Sequence, residues 1–375
     1  MTGSPPSKVE TVRGSIVLPS FLPDATRAVV KSIDSQDLER SGVNALMVNT
    51  FHLISHPGSG LIKSMGGVHT FMNWPHPVAS DSGGFQLMSV IRENRKYGTI
   101  SDKGVSFTPL GGGRKTLRFS PEKSIRIQFD LGSDVMISLD DCPSPQACEA
   151  ENLESVQRTV HWAERCKREF DKLLSIRRRE DGKRPLIFGV IHGGYDTGLR
   201  QFCAGELLSL GFDGFGFGGW PLDPEGNLAE DILRLTARLI PDHLPKFALG
   251  VGKPEGIVRC SKMGWTLFDC VLPTRDARHG RLYAFRQDSL DRVDINSEEF
   301  YHYVYIRDKK HKRDRGPISR ACDCYCCANY SIGYVHHLFD VRDPLGYRLA
   351  TIHNLRFYTQ LVETIRERSS EQIRE

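Results

Sequence analysis

The sequence predicts an α/β protein: a (β/α)₈ barrel of the TIM type with a C-terminal zinc-binding subdomain. Three observations carry that expectation. Short apolar runs, the signature of strands buried on both faces of a parallel sheet, fall at 45–48, 77–80, 135–139, 186–191, 215–218, 247–251 and 267–271. Segments with helical period lie between several of them, as β-α alternation requires. Four cysteines, Cys322, Cys324, Cys326 and Cys327, crowd together beyond the last run.

Seven runs favour a barrel over an open, doubly wound sheet, which is the alternative architecture; the eighth strand has no obvious run of its own. In 149–174 the apolar residues Leu153, Val156, Val160, Ala163, Cys166, Phe170 and Leu173 step by three or four, one face of a helix. The segment 227–240 repeats the pattern with Leu228, Ile232, Leu235 and Leu239, and Pro241 ends it. After Leu272 the buried runs thin out, and 307–315 (RDKKHKRDR) carries six Lys/Arg against two Asp. A last helix is expected over 352–368, with Leu355, Tyr358, Leu361, Val362 and Ile365 on one side. The division expected is a disordered start (1–12), a catalytic barrel (13–300), a zinc-binding subdomain (301–351) and a C-terminal helix packing back on the barrel (352–375).

Composition narrows the function. With 375 residues, 39% hydrophobic and 26% charged, the chain is long enough for one large core plus an appendage. No run approaches the roughly 18 apolar residues of a membrane-spanning helix. The opening MTGSPPSKVETVRGS has no apolar stretch of the kind a secretory signal carries. A cytoplasmic, membrane-free protein is therefore expected. Its net charge of +4 is compatible with nucleic acid but does not require it.

The cysteine cluster is the strongest chemical signal. Cys322-x-Cys324-x-x-Cys327 followed by His353 supplies three thiolates and an imidazole, the closed tetrahedral shell of one structural Zn²⁺. Cys326 competes with Cys327 for the third thiolate position, and His336 and His337 compete with His353.

Several acids and glycines follow the apolar runs. Asp81-Ser82-Gly83-Gly84-Phe85-Gln86 comes directly after one. Its acid sits where barrel enzymes keep their chemistry, although a helix-capping Asp would look the same. Asp269 interrupts the apolar strand 267–271; buried carboxylates are paired or used, and a structural ion pair to Arg275 or Arg278 is the plain alternative. Asp140 and Asp141 are adjacent on an extended chain, so only one of them faces a pocket. Gly189–Gly194, holding His192, and Phe217-Gly218-Gly219-Trp220 read either as turns or as close-approach loops. Together these motifs ring one barrel mouth with three acids.

SDSGGFQ, FDCVLPTR, GVGKP, the Cys-x-Cys-x-x-Cys…His spacing, YVHHL and IHNLRFY resemble the motifs of the tRNA-guanine transglycosylases, also called queuine tRNA-ribosyltransferases. They stand in that family's order from about residue 13 onward, and the length resembles its compact bacterial type. The resemblance implies a (β/α)₈ barrel with a zinc subdomain. It also implies exchange of the wobble guanine (position 34) of tRNA for a 7-deazaguanine, either 7-aminomethyl-7-deazaguanine or queuine, in queuosine modification. It implies Asp269 as nucleophile at ribose C1′ and Asp81 as general acid/base. Asp140 and Gly219 would read the base, and Ser82, Phe85, His192, Trp220 and Leu249 would line its site. Arg275 and Arg278 would lie near RNA; Tyr330, Tyr334 and His337 would contact a second copy in a homodimer.

Two positions depart from the bacterial pattern. His192 stands where that pattern has a base-reading Gln, and Trp220 stands where it has Leu. Imidazole cannot offer an amide's paired donor and acceptor, so the identity of the incoming base is open. Other readings are a non-catalytic tRNA-binding partner subunit, and the same exchange on DNA.

Overall fold

The computed structural model describes residues 5–108, 116–177, 182–223 and 225–372. Eight parallel strands form the centre: β1 Ser20–Pro23, β2 Leu46–Val48, β3 Val78–Ser80, β4 Val135–Ile137, β5 Leu186–Ile191, β6 Gly214–Phe217, β7 Lys246–Ala248 and β8 Leu267–Cys270. They follow one another in the order β1-β8-β7-β6-β5-β4-β3-β2. A parallel bridge between Asp24 and Met47 joins the two ends, with the Ala25 N–H donating to the Met47 carbonyl at 2.7 Å, so the sheet curls into a nearly closed barrel. All seven apolar runs become strands. The strand without a run of its own is β1, only Ser-Phe-Leu-Pro.

Side chains alternate across each strand. Leu22, Met47, Ala79, Ile137, Phe188, Val190, Phe247 and Leu267 fill the lumen. Phe21, Leu46, Val48, Met136, Ile187, Phe215 and Phe268 point outward into the helices. Burial on both faces is why these strands read as continuous apolar runs. The lumen is tight at β6: a Cβ on Gly214 would come within 2.6 Å of the Phe188 ring, and one on Gly216 within 2.9 Å of Leu249.

Residues 8–11 differ from expectation. Lys8–Thr11 pairs antiparallel with Gly14–Val17, and Val9, Ile16 and Leu18 join the lumen core, plugging the N-terminal end of the barrel. An alternation of four residues is too brief to stand out beside a polar start; residues 1–4 lie outside the described residues.

The helix expected over 149–174 runs Glu149–Ile176. The next, Glu230–Leu239, starts three residues late because a Leu222–Leu228 bridge holds the preceding loop. The last helix is longer than expected, Pro344–Gln372. The Asp343 carboxylate accepts from the Leu345 N–H at 2.8 Å and Pro344 occupies the first turn, a start signal eight residues upstream of the apolar stripe.

Beyond the barrel, Arg281–Phe285 pairs antiparallel with Tyr301–Tyr305 across the boundary expected at residue 300. With Tyr325–Asn329 and Ile332–Asp340 this hairpin builds a second core of Leu282, Val304, Ile306, Val335, Phe339, Leu349 and Ile352. The long helix belongs to both bodies: Ile352 packs in this core, whereas the Tyr358 ring lies 4.7 Å from Phe21 of β1. Among the described residues no helix is long and apolar enough to cross a membrane.

Candidate functional site

The period of two that fills the lumen also selects what stands above it. One inward step beyond Leu22, Met47, Ala79, Val190, Phe247 and Leu267 come Asp24, Asn49, Asp81, His192, Leu249 and Asp269. At β4 the chain leaves the strand after Ile137. Leu139 turns into the outer core, and Asp140 reaches the mouth instead. The apolar barrel thus ends in a polar ring at its C-terminal face, where barrel enzymes carry their sites.

Asp81 is held by the chain that follows β2. Its Oδ1 accepts from the Thr50 N–H at 2.9 Å and the Gly83 N–H at 3.1 Å, and its Oδ2 accepts from the Asn49 amide. Gly83 sits at φ +76°, and a Cβ there would meet the Phe51 backbone at 2.8 Å, so this turn requires glycine. Burial pushes the Asp81 carboxyl up to about 7; the Thr50 N–H opposes this, and the charges of Asp269 and Asp24 add to it. Asp269 has a sparser setting. Its Oδ1 accepts from the Gly250 N–H at 3.0 Å. Burial raises it to about 6, against that one bond, with a further push from Asp24. Among the described residues it forms no ion pair with Arg275 or Arg278, the plain alternative to a working role. Two carboxyls raised by burial and by neighbouring acids, both partly open to the mouth, are the usual mark of acid-base or nucleophilic work.

Across the ring, His192 Nε2 donates to Asp140 Oδ2 at 2.7 Å, and the Ser82 hydroxyl lies 3.4 Å from Oδ1. Asp141 turns away into a buried cluster with Arg92 and Arg158, so one acid of the pair faces the mouth. Phe85 and Trp220, both exposed, face each other at 5.7 Å with their rings inclined by 63°. The Trp220 indole N–H donates to the Pro143 carbonyl at 3.1 Å, which fixes the ring. A cavity of about 390 Å³ opens beside His192, Gly219 and Trp220. A larger one, about 640 Å³, lies near Arg13 and Ser133 and touches none of these acids. The arrangement offers a flat ligand two aromatic faces, a carboxylate acceptor and the backbone of Gly219, at φ +103°.

His192 fits only over glycine. A Cβ on Gly218 would sit 2.4 Å from the imidazole ring. Gly218→Ala is therefore expected to displace the ring from Asp140 and to destabilise the fold by about 1–3 kcal/mol. Urea unfolding checks this, and an unchanged midpoint would mean the ring moves aside freely.

Arg275 is exposed on the helix Leu272–His279 that follows β8; Arg278, partly exposed, donates to the Thr274 carbonyl at 2.7 Å. Tyr330 and Tyr334 stack at 5.5 Å, with Tyr325 and His337 at either end of this aromatic ladder.

The sulfur and nitrogen atoms of Cys322, Cys324, Cys327 and His353 lie within 4.8 Å of one another, and this group could hold a metal ion. Cys327 Sγ and Cys324 Sγ are 3.3 and 3.7 Å from His353 Nδ1. The Tyr283 carbonyl accepts from His353 Nε2 at 2.7 Å, which aims Nδ1 at the thiols. The competing ligands fall away: Cys326 is buried outside the group, and His336 faces the Ile306 carbonyl and Asp340. Three thiols unlinked by disulfides, two of them buried and Cys327 half-buried, closed by an oriented imidazole, match the donor set of a tetrahedral shell.

Four contributors have no clear mark in the sequence. Asp24, Asn49 and Thr50 follow the two strands that close the barrel, one of which had no apolar run. Arg200 is fully buried and donates to the carbonyls of Ile191, Gly194 and Gly218, tying the loops after β5 and β6 together. A charge on a helix ordinarily reads as surface, so nothing in the sequence distinguishes it.

Comparison with known proteins gives one answer. A family model described as Queuine tRNA-ribosyltransferase matches residues 6–372. A protein of that name from Pseudoalteromonas atlantica is 39% identical over 364 residues, 96% of this chain and 89% of its own length. Similar proteins of the same name occur in Lysinibacillus sphaericus, 38% identical over 98% of this chain and 88% of the relative, and in Staphylococcus haemolyticus, 38% identical over 96% and 87%.

Proposed function

The chain belongs to the queuine tRNA-ribosyltransferase family, and from that premise we propose that it exchanges the wobble guanine of tRNA for a 7-deazaguanine by double displacement. The observation that supports this most directly is the pair Asp81 and Asp269, two burial-raised carboxyls in one ring with unequal donors around them. Asp269, with one donor, is the nucleophile. Its oxygen forms a bond to ribose C1′ as the C1′–N9 bond breaks, and Asp81 gives its proton to the leaving guanine. In the second half Asp81, now ionised, takes the N–H proton of the incoming base. That nitrogen bonds C1′ and releases Asp269, and no phosphodiester bond is touched.

The target base leaves its stack to reach the ring. Asp140 accepts from its N–H donors, held in register by His192, and the Gly219 N–H donates to its carbonyl. Ser82, Phe85, Trp220 and Leu249 enclose the rest. Arg275 and Arg278 hold RNA near β8, and Tyr330, Tyr334 and His337 form a homodimer contact. The metal is zinc, held by Cys322, Cys324, Cys327 and His353; it supplies a closed cross-link in the unit beyond the barrel and no reacting group.

The test is entry of radiolabelled guanine into a wobble-G tRNA, chased separately with 7-aminomethyl-7-deazaguanine and queuine. Label should enter and be displaced by the preferred base. Because Asp269 works ionised and Asp81 protonated, kcat/KM should rise through about pH 6 and fall above about pH 7, two limbs belonging to the coupled pair. Failure of folded, metal-loaded protein to incorporate label would leave a partner-subunit or DNA role.

A further inference from the structure

We propose that Asp24 reads the sugar: its carboxylate accepts a hydrogen bond from the 2′-hydroxyl of the nucleotide whose C1′ faces Asp269, and so selects RNA over DNA. This rests on the base-exchange reading of the site.

The ring order supports it. In the register of β1 against β8, Leu22 is opposite Asp269 and Pro23 opposite Cys270, and Asp24 is the next inward residue after Leu22. The bridge to Met47 places Asp24 at the seam between β1 and β2, and Asn49 above Met47 bonds Asp81. Asp24 therefore stands on the short arc between nucleophile and general acid. The base-reading groups, Asp140 and His192, lie on the far arc. A base extended toward them leaves its sugar over β8, β1 and β2.

Asp24 also has only a local partner there. Thr26 donates to it through Oγ1 and its backbone N–H, His52 and Lys31 act on it only through their charge, and among the described residues no other side chain donates to it and no cation lies within ion-pair distance. A half-buried carboxylate needs donors. Beside C1′ a polynucleotide offers few: phosphates and ester oxygens only accept, and the base N–H groups are across the ring. The 2′-hydroxyl remains. As positive charge grows at C1′ that hydroxyl becomes a better donor, so the bond strengthens toward the transition state, as 2-hydroxyl contacts do in glycoside hydrolysis.

The experiment compares two anticodon stem-loops, identical except for ribose or 2′-deoxyribose at the target guanosine. Label entry is measured for the wild type, Asp24→Asn and Asp24→Val, each shown folded by thermal melting. The ribose-to-deoxyribose ratio of kcat/KM in the wild type, divided by that of Asp24→Val, is expected to be roughly 10–100, the worth of one hydrogen bond to a charged acceptor. The loss should fall mainly in kcat on the ribose substrate. A quotient near one overturns the proposal, since an acid acting only through its field on Asp81 and Asp269 slows both substrates alike. Absence of label from both substrates with wild-type protein would instead remove the base-exchange reading, and this inference with it.

Discussion

Replacing Asp269 by Asn is expected to lower base exchange by at least about four orders of magnitude, the scale seen when a covalent nucleophile is removed. The adduct between protein and tRNA that survives denaturing gels should vanish. Asn keeps the shape and can still accept from the Gly250 N–H, now 3.0 Å from Oδ1, so the ring should stand. The fold should gain rather than lose. The Asp269 carboxyl is raised from 3.8 to about 6 by burial, so the folded protein holds that proton more tightly than the unfolded chain does. Its contribution to stability is then present below about pH 4 and is lost as pH rises through about 6. At neutral pH a neutral Asn avoids that loss, and a gain on the order of 1–3 kcal/mol is expected. Single-turnover gels and urea unfolding at pH 7.5 measure the two effects. An adduct in the variant, or a variant less stable than the wild type, would contradict the assignment.

Removing the metal is expected to do the opposite: damage the fold and touch no reacting atom. Cys322, Cys324, Cys327 and His353 join the turn at Tyr325–Asn329 to the long C-terminal helix, and the core around Leu282, Val335 and Phe339 packs beside them. Without an ion, three thiols and a buried imidazole are left with weak contacts to one another. Structural zinc contributes several kcal/mol to small units. Chelation, or Cys324→Ala, should therefore lower the apparent Tm by on the order of 10 °C. Elemental analysis should return one zinc per chain. Metal-free protein melting at the holoprotein's temperature would show that the group holds nothing that matters to folding.

How much of this was legible depended on whether the cause was local. The strands β2 to β8 each announced themselves because burial on both faces demands apolar residues at every position. Strand β1, four residues ending in proline, had no room for that signature, and with it went Asp24. Asp81, Asp140 and His192 could be picked out because each directly follows an apolar run, and Asp269 because it interrupts one. Their partners could not: Asp81 is held from the neighbouring strand by Asn49 and Thr50, and Arg200 hides on a helix. The thiol spacing and His353 were plain, yet dismissing His336 as a competitor needed the Ile306 carbonyl, which occupies it in space. The hairpin Lys8–Thr11 escaped notice because its alternation is only four residues long.

The helix Pro344–Gln372 also sets the order in which the molecule can be finished. Its Arg348 grips Asp37 through two bonds of 2.7 Å, its Thr359 donates to the Ser41 carbonyl at 2.6 Å, and its Tyr358 covers Phe21 and bonds the Gly252 carbonyl at 2.6 Å. The contacts to Asp37, Ser41 and Phe21 join residues made more than 300 positions apart. At ribosomal speeds the first barrel strand waits roughly 15–60 s for its outer cover. Over that interval a nascent chain displays Phe21 and the unclosed seam to whatever chaperone is at hand. The seam carries Asp24 and leads to Asn49, so the segment that reads no base and moves no proton decides when the catalytic mouth first exists.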